Sequence, residues 1–529
     1  MMNNELKHLA ARVARKTVSR RDFLGRAGAL GVSAVAANSL LADAVKAAGP
    51  NKGGHLVQGM GGGESTNTLD PASTASQVPF GNLRHFGETL VGVSENGELT
   101  PRLAENIEAS DDAKVWTFKI RKDVEFHNGK TMDANDVMRT MERHSNEESK
   151  SGALGIMKGI ESMKVDGDNF AITLNSPNAD LPYLLADYHL VIQPDGGFEN
   201  PGNGVGTGPY IVEVDEPGVR HVFKKNPNYW GGDVVNYDSS EILVINDATA
   251  RTAALQSGQV HLINKVEPKV AKLIDRAPGV SVKNVAGRGH YVFIMHCDTA
   301  PFDNNELRMA LKYAINREEM VDKILRGYGT IGNDLPINAA YPLFDETIPQ
   351  RKHDIEKAKE HYAKSGHDGS PIVLRVADGA FPGAVDAGAL FQESARAAGI
   401  PLEIKREPND GYWSEVWNKQ PFCASYWGGR PVQDQMYSTA YLSTADWNDT
   451  RFKNPEFDAL LNQAKAELDE GKRKAIYSQM ANILRDNGGL ICPMFNDFVD
   501  AVSDKVAGYV LDPNAELSNG FAPVRTWFA

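Results

Sequence analysis

Four of the seven tryptophans in this chain fall within one stretch, Tyr412 to Asn448: Trp413, Trp417, Trp427 and Trp447. In the same stretch Arg430 stands between Gly428-Gly429 and Pro431. Aromatic faces around one cation suit the non-covalent capture of an organic molecule. The rings bury much area at little entropic cost, and a planar guanidinium fixes orientation. The same residues would also serve as a packed aromatic core with an arginine at its surface, a common fate of Trp-rich segments. Covalent chemistry has less support. The chain has no HExxH, no GxSxG, no GxxxxGK[ST] loop and no CxxC. Gly59-Met60-Gly61-Gly62-Gly63 lacks a following Lys-Ser/Thr and reads as a tight connection. His290 and His296 share a face of one strand, without further ligands to complete a metal site. No nucleophile stands with its base, and no cofactor is implied.

The elements that position these residues come next. A chain of 529 residues exceeds one compact core and implies two or three domains. Hydrophobic content of 41% and charged content of 24% are ordinary for a globular protein. The formal charge of −13 argues against nucleic acid and against an anionic membrane surface as the main partner. Cys297, Cys423 and Cys492 are too few and too far apart for a disulfide framework or a metal cluster. They read as buried thiols, with one long-range bridge left open.

The N-terminus reads as an export signal. Ser19-Arg20-Arg21-Asp22-Phe23-Leu24 resembles the twin-arginine signature, and an apolar run follows from Ala27 to Ala42. Small residues in Ala42-Asp43-Ala44 and Val45-Lys46-Ala47 offer cleavage near Ala44–Ala48. The run is too short and too weakly apolar for a durable membrane span. Further on, Val115–Ile120 alternates as a half-buried strand, Asp133 opens a helix, and 165–174 reads as a hairpin. Strands are expected at His55–Gln58, Ile242–Ile245, Val260–Ile263, His290–Cys297, Pro371–Val376, Pro401–Lys405 and Gly489–Phe495. Helices are expected at Ala248–Leu255, Glu306–Asn316, Glu318–Arg326, Ile355–Ser365, Ala384–Ala398, Phe457–Leu468 and Lys472–Leu484. This alternation indicates a mixed α/β protein.

Six segments in order resemble the peptide/nickel family (family 5) of extracytoplasmic solute-binding proteins, the binding components of ABC importers. They are LTPRLAENIE (99–108), WTFKIRKDVEFHNGKTMDANDV (116–137), GTGPY with NPNYWGG (206–210, 226–232), ARTAALQSGQVHLI (250–263), APFDNNELRMALKYAINREEMVDKILRGYG (300–329), and the WGGRP region with its following helices. The resemblance implies an α/β, two-lobe periplasmic-binding-protein fold with a hinge and an extra subdomain on lobe 1. Residues 1–48 would be the signal; 49–85, 206–296 and 496–529 lobe 1; 86–205 the subdomain; and 297–495 lobe 2. The chain would cross between lobes near His290–Pro301 and Cys492–Asp500. A peptide-like or other small organic solute would be trapped by hinge closure in the periplasm and passed to ABC permease subunits in the inner membrane by a monomer.

The resemblance places the ligand against the loop after Pro71, the 412–448 stretch and the strand end near His296. One residue departs from the family pattern. Peptide binders of the family hold the ligand's α-ammonium with an aspartate shortly after the aromatic; counting from Trp427, that place here is Arg430. Arginine suits a carboxylate or phosphate instead. Asp434 is either a substitute carboxylate or a cap for the next segment. The candidate ligand residues are therefore Trp427, Arg430, Trp413, Asp434 and His296, and the expected solute carries an anionic group or lacks a free amine. Two other classes stay open: an exported enzyme with a bound cofactor, and a periplasmic sensory or chaperone-like protein on the same scaffold.

Overall fold

The computed structural model describes residues 50–529 except 75, 147, 149, 409–411 and 446, together with the helix Arg20–Ala29 and isolated positions before residue 50. The expected cleavage site at Ala44–Ala48 lies outside the described residues.

Two long strands organise the molecule. Val280–Met295 and Leu490–Ser503 pair antiparallel, from Val280 opposite Ser503 to Ile294 opposite Leu490. On one half, Leu490–Ser503 continues the sheet through Leu262–Ile263, His55–Met60, Ser239–Val244, Arg220–Lys225 and Tyr210–Glu216. On the other half, Val280–Met295 carries Phe422–Trp427, then Ile372–Val376 and Leu402–Arg406. The result is one eleven-stranded sheet whose two halves share only these strands.

The shared pair has a fault in its middle. Its register shifts between Ala286 and His290 and again between Tyr291 and Phe293. Gly287 and Gly289 flank Arg288 there. A Cβ on Gly287 would lie 3.1 Å from the Asn496 carbonyl oxygen, and one on Gly289 would lie 2.9 Å from Asn496 Oδ1. Only glycine lets the strands approach this closely at an irregularity that bends the sheet.

Separate cores flank the fault. One packs Phe293, Phe391, Phe422, Leu461 and Leu484. Another, on the opposite half, packs Leu56, Tyr210, Phe223, Ile242 and Val502. A third lies under a smaller antiparallel sheet of order Ala104–Ala109, Val115–Ile120, Asn169–Leu174, Ile160–Asp166, and includes Phe118, Phe170 and Val137. Val137 comes from the helix Ala134–Ser145, which the expected Asp133 caps. Asp133 accepts from the Asn135 and Asp136 backbone N–H groups at 2.8 and 3.1 Å, and Asp136 returns a bond to the Asp133 N–H at 3.0 Å. This reciprocal box satisfies the otherwise orphaned first-turn donors.

Most expected elements are present, and the mixed α/β class holds. The main correction concerns length. His290–Cys297 and Gly489–Phe495 are pieces of strands of 16 and 14 residues. Polar and glycine residues at 283–289 and 496–497 look like breaks in the sequence, but ladder pairing carries the chain through them. Val260 lies outside its expected strand, which is only Leu262–Ile263. The three cysteines are unbridged. No helix among the described residues is long and apolar enough to cross a membrane.

One buried ion cluster fastens the second long strand. Asp334, fully buried, accepts two bonds from Arg317 at 2.6 and 2.7 Å, one from Arg351 at 2.7 Å, and one from the Cys492 backbone N–H at 3.1 Å. Burial alone would push this carboxyl up; the Arg317 and Arg351 guanidiniums hold it below the usual carboxylate range. Asp334→Ala should cost roughly 3–5 kcal/mol in denaturant unfolding, because it strands two buried cations. The folded value is depressed, so the stabilisation is complete above the unfolded pKa of about 3.9 and is lost as pH falls through the folded value. A variant whose stability matches the parent in neutral buffer would contradict this role.

Candidate functional site

Phe422–Trp427 runs antiparallel to the first long strand, so Trp427 faces His290 and Phe422 faces Met295. The chain therefore leaves the strand beside the register fault and turns through Gly428–Pro431. Gly429 permits that turn: a Cβ there would fall 2.3 Å from Arg288 Cβ. Buried Arg288 ties the turn to both halves. It donates from Nε to the Ala340 carbonyl at 2.9 Å, and from one terminal nitrogen to the Arg430 carbonyl at 3.4 Å and Asn514 Oδ1 at 2.6 Å. Asn514 in turn donates to the Ser94 carbonyl at 3.0 Å.

Arg430 is held by its backbone N–H and by the carbonyls of its own turn. Its N–H donates to the Tyr341 hydroxyl at 3.1 Å. Its guanidinium donates to the Gly428 and Gly429 carbonyls of its own turn, at 3.1 and 3.2 Å. Among the described residues no carboxylate pairs with it. Its charge reaches Asp187, Tyr188 and His189 on the facing side. Asp187 is already engaged: His189 meets it through Nδ1 at 2.6 Å and donates its backbone N–H at 3.0 Å.

The tryptophans form a cluster around a residue that sequence reading passed over. Trp417, Trp427 and Trp447 lie 6.1 to 6.4 Å apart in edge-on or tilted pairs, the favoured aromatic geometry. Asp449 is buried beside them. Its Oδ2 accepts from the Trp417 and Trp427 indole N–H groups at 2.9 and 3.1 Å, while its Oδ1 has no partner. Burial pushes this carboxyl up to about 7, against the downward pull of the two indole donors. Its only sequence signal was an acid two residues past Trp447. Trp427 is 4% exposed and Trp447 53%, so Trp447 offers the open face.

The remaining expected residues scatter. Asp434 does not cap its helix, Gln433–Ala440, whose N-cap is Val432. It is buried, 2.7 Å from Ser438 Oγ, 3.5 Å from Lys465 Nζ and 3.4 Å from Asn178 Nδ2. Asn178 belongs to a loop that bridges from the small-sheet unit. The next residue, Ala179, donates to the Lys465 carbonyl at 2.7 Å, and Asp180 meets Arg473 at 3.0 Å and the Tyr477 hydroxyl at 3.2 Å. His296 follows Met295, at the end of the strand pair away from Trp427. At about 3.3 Å per residue the two are roughly 20 Å apart along the strands. The structure does not bring His296 to Arg430; it places His290 there instead, buried, with Nε2 unpartnered and its Nδ1 3.2 Å from the Arg288 carbonyl. Burial holds both imidazoles down at about 4. The Trp413 side chain lies outside those described. In the loop before Pro71, Asp70 caps Ala72 at 2.9 Å and is neutralised by Arg143 at 2.6 and 2.7 Å.

A family model described as bacterial extracellular solute-binding proteins, family 5 middle, matches residues 98–449. This chain belongs to that family. Di/tripeptide-binding protein 1 of Pseudomonas aeruginosa (strain UCBPP-PA14) is 26% identical over 452 residues, 78% of this chain and 82% of that protein. Heme-binding protein A of Haemophilus influenzae (strain ATCC 51907 / DSM 11121 / KW20 / Rd) is 26% identical over 464 residues, covering 79% of this chain and 82% of its own. The fold is that of the PBP AgaA from A.tumefacien R10, solved with agropinic acid, with a TM-score of 0.78, 23% identity, and coverage of 90% of this chain and 99% of that one.

At the seam between the two sheet halves the charge of Arg430 reaches Asp187, Tyr188 and His189, and the loop 178–180 crosses from the small-sheet unit to the helices at 465–477. Asp449 lies beside the tryptophans. It keeps its proton near neutrality, where an unfolded aspartate has long lost one. Its contribution to stability therefore falls as pH rises from about 4 to about 7 and is level above that. Tryptophan emission should titrate with a midpoint near 7, since two indoles donate to this carboxyl. Asp449→Asn should abolish the titration; a midpoint that survives the substitution would assign it to another group.

Proposed function

We propose that this family 5 solute-binding protein captures a small organic solute bearing an anionic group between its two sheet halves, and delivers it to ABC permease subunits in the inner membrane. The observation that carries this reading is Arg430. It is a cation at the seam with no carboxylate partner among the described residues, in the position where peptide-binding relatives of the resembled pattern carry an aspartate. A peptide-like or opine-like acid fits such a residue; a free ammonium does not. Arg430→Ala should weaken binding of the anionic solute by roughly 2–5 kcal/mol, read by calorimetry after a thermal-shift screen of peptides, opine-like acids, sugars and metal chelates. Equal affinity in parent and variant would remove Arg430 from the site.

The proposed division is lobe 1 from 49–85, 206–296 and 496–529, its subdomain from 86–205, and lobe 2 from 297–495. The separate cores on either side of the strand fault support it. So do the two glycines that make the shared strands bend there. The proposed location is the periplasm, as a monomer, after twin-arginine export and cleavage near Ala44–Ala48. Arg20-Arg21 ahead of an apolar run supports export.

Hinge closure would be fastened by the loop 178–180. Asp180 and Arg473 come from opposite sides and are both buried. Arg473→Ala should loosen the closed state, raising Kd about tenfold by lowering the population competent to hold solute. Small-angle scattering should then report a more extended unliganded protein. An unchanged scattering profile with unchanged Kd would make this pair a static contact.

A further inference from the structure

The facing side of the seam holds a second cation that makes no ion pair among the described residues, although the charges of Asp512 and Asp187 reach it. Arg84 lies on the helix Gln77–Phe86, its guanidinium carbon 4.9 Å from the Phe80 ring centre and 4.8 Å from that of Phe521. Its Nε is buried without a hydrogen-bond partner, and among the described residues it makes no ion pair. Its neighbours differ. Arg525 is paired with Asp512 at 2.7 Å and Glu95 at 3.5 Å. Arg102 and Arg525 each rest 5.3 Å over the same Phe521 ring. Three guanidiniums thus gather around one ring, and the buried Nε of Arg84 is left without an acceptor that an anion could supply. Burial, and then Arg102, lower Arg84 to about 10, so it stays charged at neutral pH.

Phe521 is presented by unusual backbone. Leu517, Ser518, Asn519 and Gly520 have φ of 50°, 60°, 59° and 72°, a left-handed turn that includes three residues with side chains. Its surroundings force it. Asp500, on the second long strand, accepts from the Leu517 N–H at 2.7 Å, and Arg525 donates to the Ser518 carbonyl and hydroxyl at 3.2 and 3.1 Å. Such conformations persist where the fold over-determines them, and they gather at ligand clamps. Between this turn and Arg430 lies Tyr188, its ring edge-on to Phe80 at 5.2 Å. The charges of Arg84 and Arg430 both reach its phenol. Among the described residues that hydroxyl has no hydrogen-bond partner.

We infer that Arg84 determines specificity: with Arg430 from the facing half and the Tyr188 hydroxyl, it receives a carboxylate of the solute, whose apolar body lies on Phe521 and Tyr188. This rests on the solute-binding reading above and narrows its solute to an organic acid. Two planar guanidiniums meeting one planar oxyanion group would close the seam only around an acid.

The test uses the full exported protein, with N-acetylated dipeptides and citrate as carboxylate probes and the C-terminal amides of the same dipeptides as neutral controls. Thermal shift and calorimetry should find stabilisation by a carboxylate and none by the matched amide. Arg84→Met, which keeps the volume between Phe80 and Phe521, should weaken carboxylate binding by about 30-fold or more. Its unliganded Tm should equal or exceed the parent's, because it removes a partly buried charge that makes no ion pair. Arg84→Lys should fall between the two. Amides binding as well as acids would overturn the inference. So would an Arg84→Met protein that melts lower but binds equally, since the arginine would then serve packing alone. Capture of an uncharged solute with no carboxylate response would overturn the role of Arg84 and leave solute binding intact. Failure to bind any compound of the wider screen would count against solute binding itself, and the inference would fall with it.

Discussion

The structure depends on one constraint: two strands must belong to two cores at once. Val280–Met295 and Leu490–Ser503 supply pairing to both halves of the eleven-stranded sheet, and no other strand does. An unbroken ladder would make that sheet stiff and flat. The register fault at 286–293 relieves it, and Gly287 and Gly289 make the fault sterically feasible against Asn496. What borders the fault is then placed where the halves can move relative to each other. Trp427, the Gly428–Pro431 turn and Arg288 all border it.

Charge compensation separates scaffold from site. Asp334 with Arg317 and Arg351, Arg143 with Asp70, and Arg473 with Asp180 are buried ions that meet their opposites. Each anchors a loop or strand whose displacement would strand a charge in a low-dielectric interior. Arg430 and Arg84 differ: they are only partly buried and make no ion pair among the described residues, although the charge of Asp187 reaches both. Asp449 is a further exception: it makes no ion pair among the described residues, accepts from two indole N–H groups, and is pushed up to about 7 by burial. Groups left unsettled by the fold are the ones an external partner can settle.

Strain follows the same geography. The left-handed turn at Leu517–Gly520 leans on Asp500, a residue of the shared strand pair, so the placement of Phe521 is coupled to the hinge strands. The bridging loop 178–180 reaches the helices at 465–477 from the small-sheet unit. The Phe521 turn is thus tied to the shared strands, and the bridging loop to the helices of the other half, through short chains of hydrogen bonds.

The sequence by itself determined the local structure and the family. Alternation at Val115–Ile120, the Asp133 cap and the apolar faces of the helices are short-range properties, and they survive in the fold because nothing at long range opposes them. It also singled out Arg430, because a reversed charge in a familiar pattern is visible without coordinates. Tertiary structure alone decided the rest. It extended two strands through residues that look like breaks, exchanged His296 for His290 at the seam, and turned Asp434 toward Lys465 and Asn178. It also brought Arg84, Tyr188 and Phe521 together around Phe80 from three distant parts of the chain. Local preference reaches only a few residues, whereas a site at a seam is assembled by strand pairing between segments hundreds of residues apart, and only packing reveals which buried charges are left without a partner.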